Sequence, residues 1–266
     1  MDDKTIEMIK RNPVLIKTIK NPTVEMQLIA VTKNGLLLRY IENPVEEVIE
    51  AALKSNINAI EFVENPSRQA QIEAVEAGWN NLRYIKNPDE ELIGLGITQK
   101  GWAIQYIDSP SVELQLKAVS KEYDAIKYIK NPSKATQKRA VEISYDALRY
   151  IDNADEEVEM EAVKINEAAI KFVHNLNREK INKLLKVNIL VIKYIFNQVE
   201  KDELESILKD VLSRDNVDPI YVRNFIRCRS IDVNQDNISM DKILFINKYG
   251  SKDAKKIAVD EKLRLI

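Results

Sequence analysis

The sequence has little of what builds cross-links, metal centres and hydrolytic active sites. Its 266 residues include one cysteine, Cys228, and one histidine, His174. A single thiol excludes an intrachain disulfide. One thiol and one imidazole also exclude a zinc site of the usual four-ligand type and the Ser-His-Asp and Cys-His arrangements of hydrolases. We therefore expect a protein that is not an enzyme and that has no metal and no cofactor.

Long apolar runs and an excess of one charge are also missing. No stretch approaches the roughly 18 apolar residues that a membrane span needs, and the N-terminal residues show no signal-peptide pattern. With 40 Lys and Arg against 42 Asp and Glu, the net charge is −2, so no global field attracts nucleic acid or an anionic membrane. These absences predict a cytoplasmic protein without a membrane partner. The abundance of Ile, Asn and Lys favours a source in a low-GC bacterium or a phage.

What the sequence contains instead is a repeat of 22 residues. Asparagine recurs at this spacing, and Ser109 fills the single gap. The column comprises Asn21, Asn43, Asn65, Asn87, Asn131, Asn153, Asn175 and Asn197. An aromatic residue such as Tyr128 lies three positions before most of them, and a small residue such as Ala140 lies nine positions after. We expect both columns to pack between neighbouring repeats, with alanine allowing close approach of the backbones. The apolar spacings are those of helices rather than strands.

The Asn-Pro pair predicts the start of a helix. Asparagine would be the N-cap in an extended conformation, with proline at the first helical position. Ser109 is another good N-cap, which argues against a left-handed, glycine-like role for the column. We expect a first helix of about eleven residues, as over residues 132–143, then a short turn, as at residues 122–124, and a second, shorter helix, as over residues 125–129.

Units such as IKYIKNPSKATQKRAV (residues 126–141) and IQYIDSPSVELQLKAV (residues 104–119) resemble the short α-solenoid repeats of leucine-rich-repeat-variant type. They also resemble 22-residue helical repeats of unknown function from bacteria and phages. The resemblance covers roughly residues 14–198. It implies an all-α, right-handed α-solenoid of about nine two-helix repeats with a binding face. It carries over no catalytic residues.

The ends of the repeat predict three regions. Residues 1–20 contain a shortened unit that suits an N-terminal cap, residues 21–198 are the α-solenoid repeats, and residues 199–266 form a helical C-terminal cap. Within this last region we expect helices over residues 199–213 and 218–229 and a polar loop at residues 233–237. An irregular cap is also where we expect a homodimer contact, if one forms.

Both tryptophans fall in the predicted turns between the two helices of a repeat. The four aromatic residues of these turns are Trp79, Trp102, Tyr123 and Tyr145. Because consecutive turns should stack along one edge, we expect a ridge rich in the residue types that dominate binding hot spots. The alternative is a packing role, since Ile57 and Ile189 occupy the same column as Trp79.

Two further features allow two interpretations each. A basic column, interrupted by Glu61 and Gln105, could follow a phosphate backbone or an acidic protein, or it could pair with neighbouring carboxylates and stay solvated. Its members include Arg83, Lys127, Arg149, Lys171 and Lys193.

The second feature is a pair of glycines within one predicted helix. Gly94 and Gly96 each cost a helix about 1 kcal/mol relative to alanine. Either Trp102 fills the space they leave, or they form a hinge or a ligand groove.

The leading hypothesis is a non-enzymatic scaffold that sequesters, blocks or bridges a partner protein. A role for a phage or mobile element in countering host defence would fit the composition. The alternative is nucleic-acid binding along the basic column, against which the balanced charge counts.

Overall fold

In the computed structural model, which describes residues 2–232 and 238–264, the chain forms helices and no strand. The α-helices are α1 (Asp2–Arg11), α2 (Val24–Lys33), α3 (Glu46–Ser55), α4 (Arg68–Ala77), α5 (Glu90–Gln99), α6 (Val112–Lys121), α7 (Lys134–Ile143), α8 (Glu156–Ile165), α9 (Arg178–Val187), α10 (Ile192–Ile195), α11 (Lys201–Leu212), α12 (Pro219–Arg227), α13 (Lys242–Tyr249) and α14 (Lys252–Arg264). The 3₁₀ helices are η1 (Pro13–Thr18), η2 (Gly35–Tyr40), η3 (Ile57–Phe62), η4 (Trp79–Tyr84), η5 (Gly101–Tyr106), η6 (Tyr123–Tyr128), η7 (Tyr145–Tyr150), η8 (Glu167–Phe172), η9 (Ile189–Val191), η10 (Phe196–Gln198) and η11 (Arg229–Ile231). The all-α prediction is confirmed for these residues. The predicted loop at residues 233–237 and the final residues 265 and 266 lie outside them.

A ten-residue α-helix followed by a six-residue 3₁₀ helix recurs every 22 residues. The α-helices from α2 to α9 all begin in this register, and α1 with η1 already has the same lengths and spacing. One residue, such as Asn34 or Asn56, connects each α-helix to its 3₁₀ helix. The helical repeat is confirmed. The predicted three-residue turn is wrong, because two of its positions already belong to the 3₁₀ helix.

Packing divides the chain after Ser133 into two compact units, each described by itself. In the first unit the 3₁₀ helices η1 to η6 pack in sequence, and α-helices of neighbouring repeats lie side by side, as α2 does with α3. In the second unit α7 packs on α8, α8 on α9 and α9 on α11, while α12 and α13 both contact α14. Helices adjacent in sequence are thus also neighbours in space.

The alanine column lies in the core, as predicted. Its members Ala30, Ala52, Ala74, Ala118, Ala140 and Ala162 are fully buried. At Gly96, in the same column, an added Cβ would lie 2.7 Å from Leu82 Cδ1 and 3.0 Å from Ala103 Cβ. A small residue is therefore needed where the α-helix meets the 3₁₀ helices. Trp102 is not among the nearest atoms at Gly94 or Gly96, so the prediction that it fills their space is wrong.

The asparagine column does not cap the α-helices, and that prediction is wrong. Four of its members are left-handed, with φ near 50°: Asn21, Asn43, Asn87 and Asn175. Asparagine visits this region more readily than most residues do. The cap lies two positions later, where Thr23 accepts a hydrogen bond from the N–H of Met26. The proline therefore belongs to the loop before the helix.

A column of glutamines was not predicted from the sequence: Gln27, Gln115 and Gln137 are buried, and two of the glutamines connect consecutive repeats. The side-chain amides of Gln27, Gln71 and Gln115 each donate to the carbonyl of the proline five residues earlier, at 2.9–3.1 Å. Gln115 Oε1 also accepts from the N–H of Ser133 at the next helix start, at 3.0 Å. In the second unit, Gln137 Oε1 accepts from the N–H of Asp155 in the same way. These bonds fix the spacing between helix starts.

Candidate partner-binding surface

The rings of the aromatic column are only partly buried. Tyr84, Tyr106 and Tyr128 are half-buried, and Tyr40 is 43% exposed. In each 3₁₀ helix the inward positions are taken by small and aliphatic residues, such as Ala125 and Ile126. The aromatic ring at the last position is left at the edge. The column is therefore not part of the fully buried core, although its rings contact neighbouring repeats.

The four predicted ridge residues begin the 3₁₀ helices instead of lying in turns. Trp79, Tyr123 and Tyr145 are the first residues of η4, η6 and η7, whereas Trp102 is the second residue of η5. All four are half-buried. Tyr145 belongs to the second unit and the other three to the first.

Each tryptophan contacts the tyrosine at the end of the next 3₁₀ helix. The ring centroids of Trp79 and Tyr106 are 6.3 Å apart, and those of Trp102 and Tyr128 are 5.9 Å apart with an edge-on geometry. We call these four residues the aromatic cluster. No such ring contact reaches Tyr123 within the part of the chain that the structure describes, so it lies outside the cluster.

Trp102 is held by charged neighbours. Its indole N–H donates to Asp124 Oδ1 at 2.8 Å, and the ammonium groups of Lys127 and Lys100 lie 4.0 and 4.5 Å from its ring centroid. Lys127 also donates to Asp124 at 2.9 Å. Burial alone would raise the pKa of Asp124, but the hydrogen bonds from Trp102 and Lys127 outweigh it and lower that pKa below its ordinary value. Trp102 therefore has its main role in the local structure.

Trp79 is held by its backbone N–H and by the contact of its ring with Tyr106. Its N–H donates to Gln99 Oε1 at 3.0 Å, and the amide of Gln99 is fixed in turn by the carbonyl of Val75 at 2.7 Å. The indole N–H of Trp79 has no hydrogen-bond partner within residues 2–232 and 238–264. Trp79 thus offers a positioned ring and an unused donor to an incoming molecule.

Three of the five predicted basic contacts are paired within the protein. Lys127 pairs with Asp124 at 2.9 Å, Arg149 with Asp146 at 3.8 Å and Lys193 with Glu167 at 2.9 Å. The other two lie beside aromatic rings: Arg83 is 5.5 Å from the centroid of Tyr84, and Lys171 is 5.2 Å from that of Tyr194. The surface is therefore a mosaic of rings, cations and carboxylates instead of a uniformly positive stripe.

A groove of the second unit has a volume of about 780 Å³, and none of the predicted residues line it. Met160 and Val187 form its apolar part. Its charged lining residues are Lys134, Asp155, Glu156, Glu157, Lys183, Lys186 and Arg214. Each of them takes part in an ion pair, as Lys183 does with Glu156 at 2.8 Å. A charged ligand would have to displace these pairs, so we favour the aromatic cluster as the binding site.

The chemically reactive residues are not assembled into a site. Cys228 is buried, and burial raises the pKa of its thiol, which disfavours the reactive thiolate. Among the described residues, no three His, Cys, Asp or Glu side chains are grouped so as to hold a metal ion. No helix in these ranges is long and apolar enough to cross a membrane.

Comparison of the chain with known protein families, with characterised proteins and with solved structures finds no match. The resemblance to leucine-rich-repeat-variant units therefore rests on the repeat pattern itself, which the structure supports as a helical repeat.

Proposed function

We propose that this chain is a non-enzymatic scaffold that binds a partner protein through the aromatic cluster. The observation that carries the proposal is the arrangement of four half-buried rings from three consecutive 3₁₀ helices, with cations beside them. Tryptophan, tyrosine and arginine are the residues most enriched in binding hot spots. Rings already held in place lose little conformational entropy when a partner binds.

The finer architecture is part of the same proposal. The repeats would continue as a right-handed α-solenoid, with residues 1–20 and 199–266 as caps, because helix pairs in one register favour regular stacking. The protein would act in the cytoplasm of a bacterium, as an adaptor or as an inhibitor that blocks its partner, and a phage origin would fit the composition.

The sharpest test removes one ring. Trp79→Ala deletes an aromatic side chain whose indole makes no hydrogen bond within the described residues. Phe196→Ala is the matched control, because Phe196 is 50% exposed and lies outside the cluster. Capture from a lysate of the native host, read by mass spectrometry, should return a protein with the wild type and the control but not with Trp79→Ala. Helical circular dichroism should be the same for all three. Retention of the same protein by Trp79→Ala would contradict the assignment.

Nucleic-acid binding remains the second candidate because Arg83 and Lys171 lie beside exposed or half-buried rings. Proteins that bind single strands combine cations with aromatic stacking surfaces. A labelled pool of RNA and DNA at about 50 mM salt, where electrostatic binding is strongest, tests it. Binding that is lost in Arg83→Glu with Lys171→Glu would favour this function, and absence of binding would remove it.

A further inference from the structure

An apolar groove lies between α13 and α14, near the C-terminal end of the described chain. Ile246 and Ala258 are buried at its base, and Ile243 and Val259 form its walls. Its volume is about 140 Å³. This is well below the roughly 300–1,000 Å³ of small-molecule sites, and it suits single aliphatic side chains from a docked segment.

The outer edge of the groove is apolar and exposed. Val259 is 59% exposed and Leu263 is 68% exposed. The two are four residues apart on α14, so they share one face of the helix. These two side chains extend the apolar surface of the groove that a docked segment could cover.

Two lysines give the groove its charge. Lys255 and Lys262 line it, both are exposed, and neither lies within ion-pair distance of a carboxylate in the described residues. The buried carboxylate of α14, Glu261, is held on the α12 side by Arg227. It therefore does not offset the charge of these lysines at the groove.

We propose that this groove binds an amphipathic helix of a partner protein that carries acidic residues on both sides of an apolar stripe. Helices dock in this way by inserting aliphatic side chains into a groove, and complementary charge selects the partner. A symmetric contact with a second copy would bring Lys255 and Lys262 against the same lysines, which opposes self-association. This surface is separate from the aromatic cluster and does not depend on it.

The test uses the full chain and a fluorescent peptide of about 18 residues, long enough to become helical when bound. Its leucines follow the three-and-four spacing of one helix face, and glutamates flank them. A second peptide carries lysine in place of every glutamate. At about 150 mM salt the acidic peptide should bind about tenfold more tightly than the basic one.

Three variants locate the binding. Val259→Asp should weaken binding of the acidic peptide by about tenfold or more, because it puts a carboxylate into the apolar contact. Lys255→Glu with Lys262→Glu should reverse the preference between the peptides. Ile220→Ser is the matched control, since Ile220 is 62% exposed and does not line the groove, and it should bind as the wild type does. Because these positions are exposed, circular dichroism and melting temperature should stay unchanged.

Each other outcome overturns the proposal. Equal affinity for the two peptides, or no binding of the acidic one, removes the charge argument. Sedimentation that shows a dimer lost in Val259→Asp would assign the groove to a second copy. Co-sedimentation with phosphatidylserine-containing vesicles, again lost in Val259→Asp, would assign it to a lipid surface. None of these results bears on the Trp79 experiment.

Discussion

Trp102 on η5 donates its indole hydrogen bond to Asp124 on η6, at 2.8 Å. The carboxylate also receives Lys127 from its own helix. One acidic group therefore links two consecutive repeats at the surface. The two tryptophans therefore differ. The indole N–H of Trp102 is used in this contact, whereas the indole N–H of Trp79 has no partner among the described residues.

Trp102→Phe should destabilise the protein. The change keeps an aromatic ring but removes the donor to a half-buried carboxylate, so we expect the free energy of unfolding to fall by about 1–2 kcal/mol. Urea denaturation measures it. Tyr123→Phe, at a half-buried aromatic position outside the cluster, should change the value by less than about 0.5 kcal/mol. Equal effects of the two substitutions would mean that the Trp102 hydrogen bond contributes nothing specific.

The contact between Trp102 and Asp124 should make the stability of the protein depend on pH. The folded-state pKa of Asp124 lies below its ordinary value of 3.8. The stabilisation from the deprotonated carboxylate is therefore complete well above pH 3.8 and is lost as the pH falls through the lowered folded-state pKa. Trp102→Phe should thus be less stable than the wild type at pH 6, and this difference should narrow below about pH 3.8. A difference that stays constant across this range would exclude the ionised carboxylate as its source.

Gly94 and Gly96 should respond oppositely to alanine. A Cβ at Gly94 would meet only Leu114, at 3.7 Å, so Gly94→Ala should raise the free energy of unfolding by about 1 kcal/mol through helix propensity. At Gly96 the added atom would be forced against Leu82 and Ala103. Gly96→Ala should therefore be at least about 1 kcal/mol less stable than Gly94→Ala. Thermal denaturation of both variants distinguishes the two sites. An equal gain in stability at both would show that Leu82 and Ala103 can shift to make room for a Cβ at position 96.

Asn43 should tolerate glycine better than alanine. Its φ is 51°, which costs an alanine about 1 kcal/mol and a glycine almost nothing. Asn65 precedes a proline in the same way but is not left-handed, so Asn65→Ala is the control and should have little effect. If Asn43→Ala were as stable as Asn43→Gly in urea, the left-handed conformation would not be what selects asparagine.

Glu159 takes the place of the glutamines that join the repeats. It is buried, and it accepts from the N–H of His174 at 3.1 Å and from the ammonium of Lys180 at 2.5 Å. Glu159→Ala would leave Lys180 without its buried partner and should cost about 3 kcal/mol or more. Glu159→Gln, which restores the residue used elsewhere in the column, should cost clearly less. Denaturant titration gives the free energy of unfolding of the two variants. The prediction is wrong if Glu159→Gln lowers it as much as Glu159→Ala does.

The sequence predicts the period and the helical class because stacking makes the same demand in every repeat. Ala118 and Ala140 must be small for the neighbouring helix to approach, and that requirement is visible as a column. It does not predict that the second helix is 3₁₀. Over six residues, Ala125, Ile126 and Tyr128 fit either helix type, and the single connecting residue is decided by packing against the next repeat.

The role of the asparagine could not be decided from residue preferences. Asparagine is favourable both at an N-cap and in the left-handed region, so Asn43 fits two interpretations. Serine at position 109 points to the first, yet the structure gives the cap to Ser111. The Thr or Ser two positions after most of the asparagines is the stronger signal, since these residues cap helices and rarely adopt the left-handed conformation.

The candidate site is predictable in part. Trp79 and Trp102 stand out because the equivalent positions of the other repeats hold no tryptophan. Their contacts with Tyr106 and Tyr128 are not predictable, because they depend on how the 3₁₀ helices are rotated about their axes. The groove between α13 and α14 is invisible in the sequence. Ile246 and Val259 lie outside the repeats, and only tertiary packing brings them together.

The single-residue connectors at Asn34 and Asn56 constrain how such a chain can change its length. One inserted residue would turn the following 3₁₀ helix by about 120° and carry its buried side chains out of the contact. Only the gain or loss of a whole 22-residue segment keeps the register. Tandem duplication is therefore the tolerated route of growth, and copy number would set how many rings and cations the protein displays.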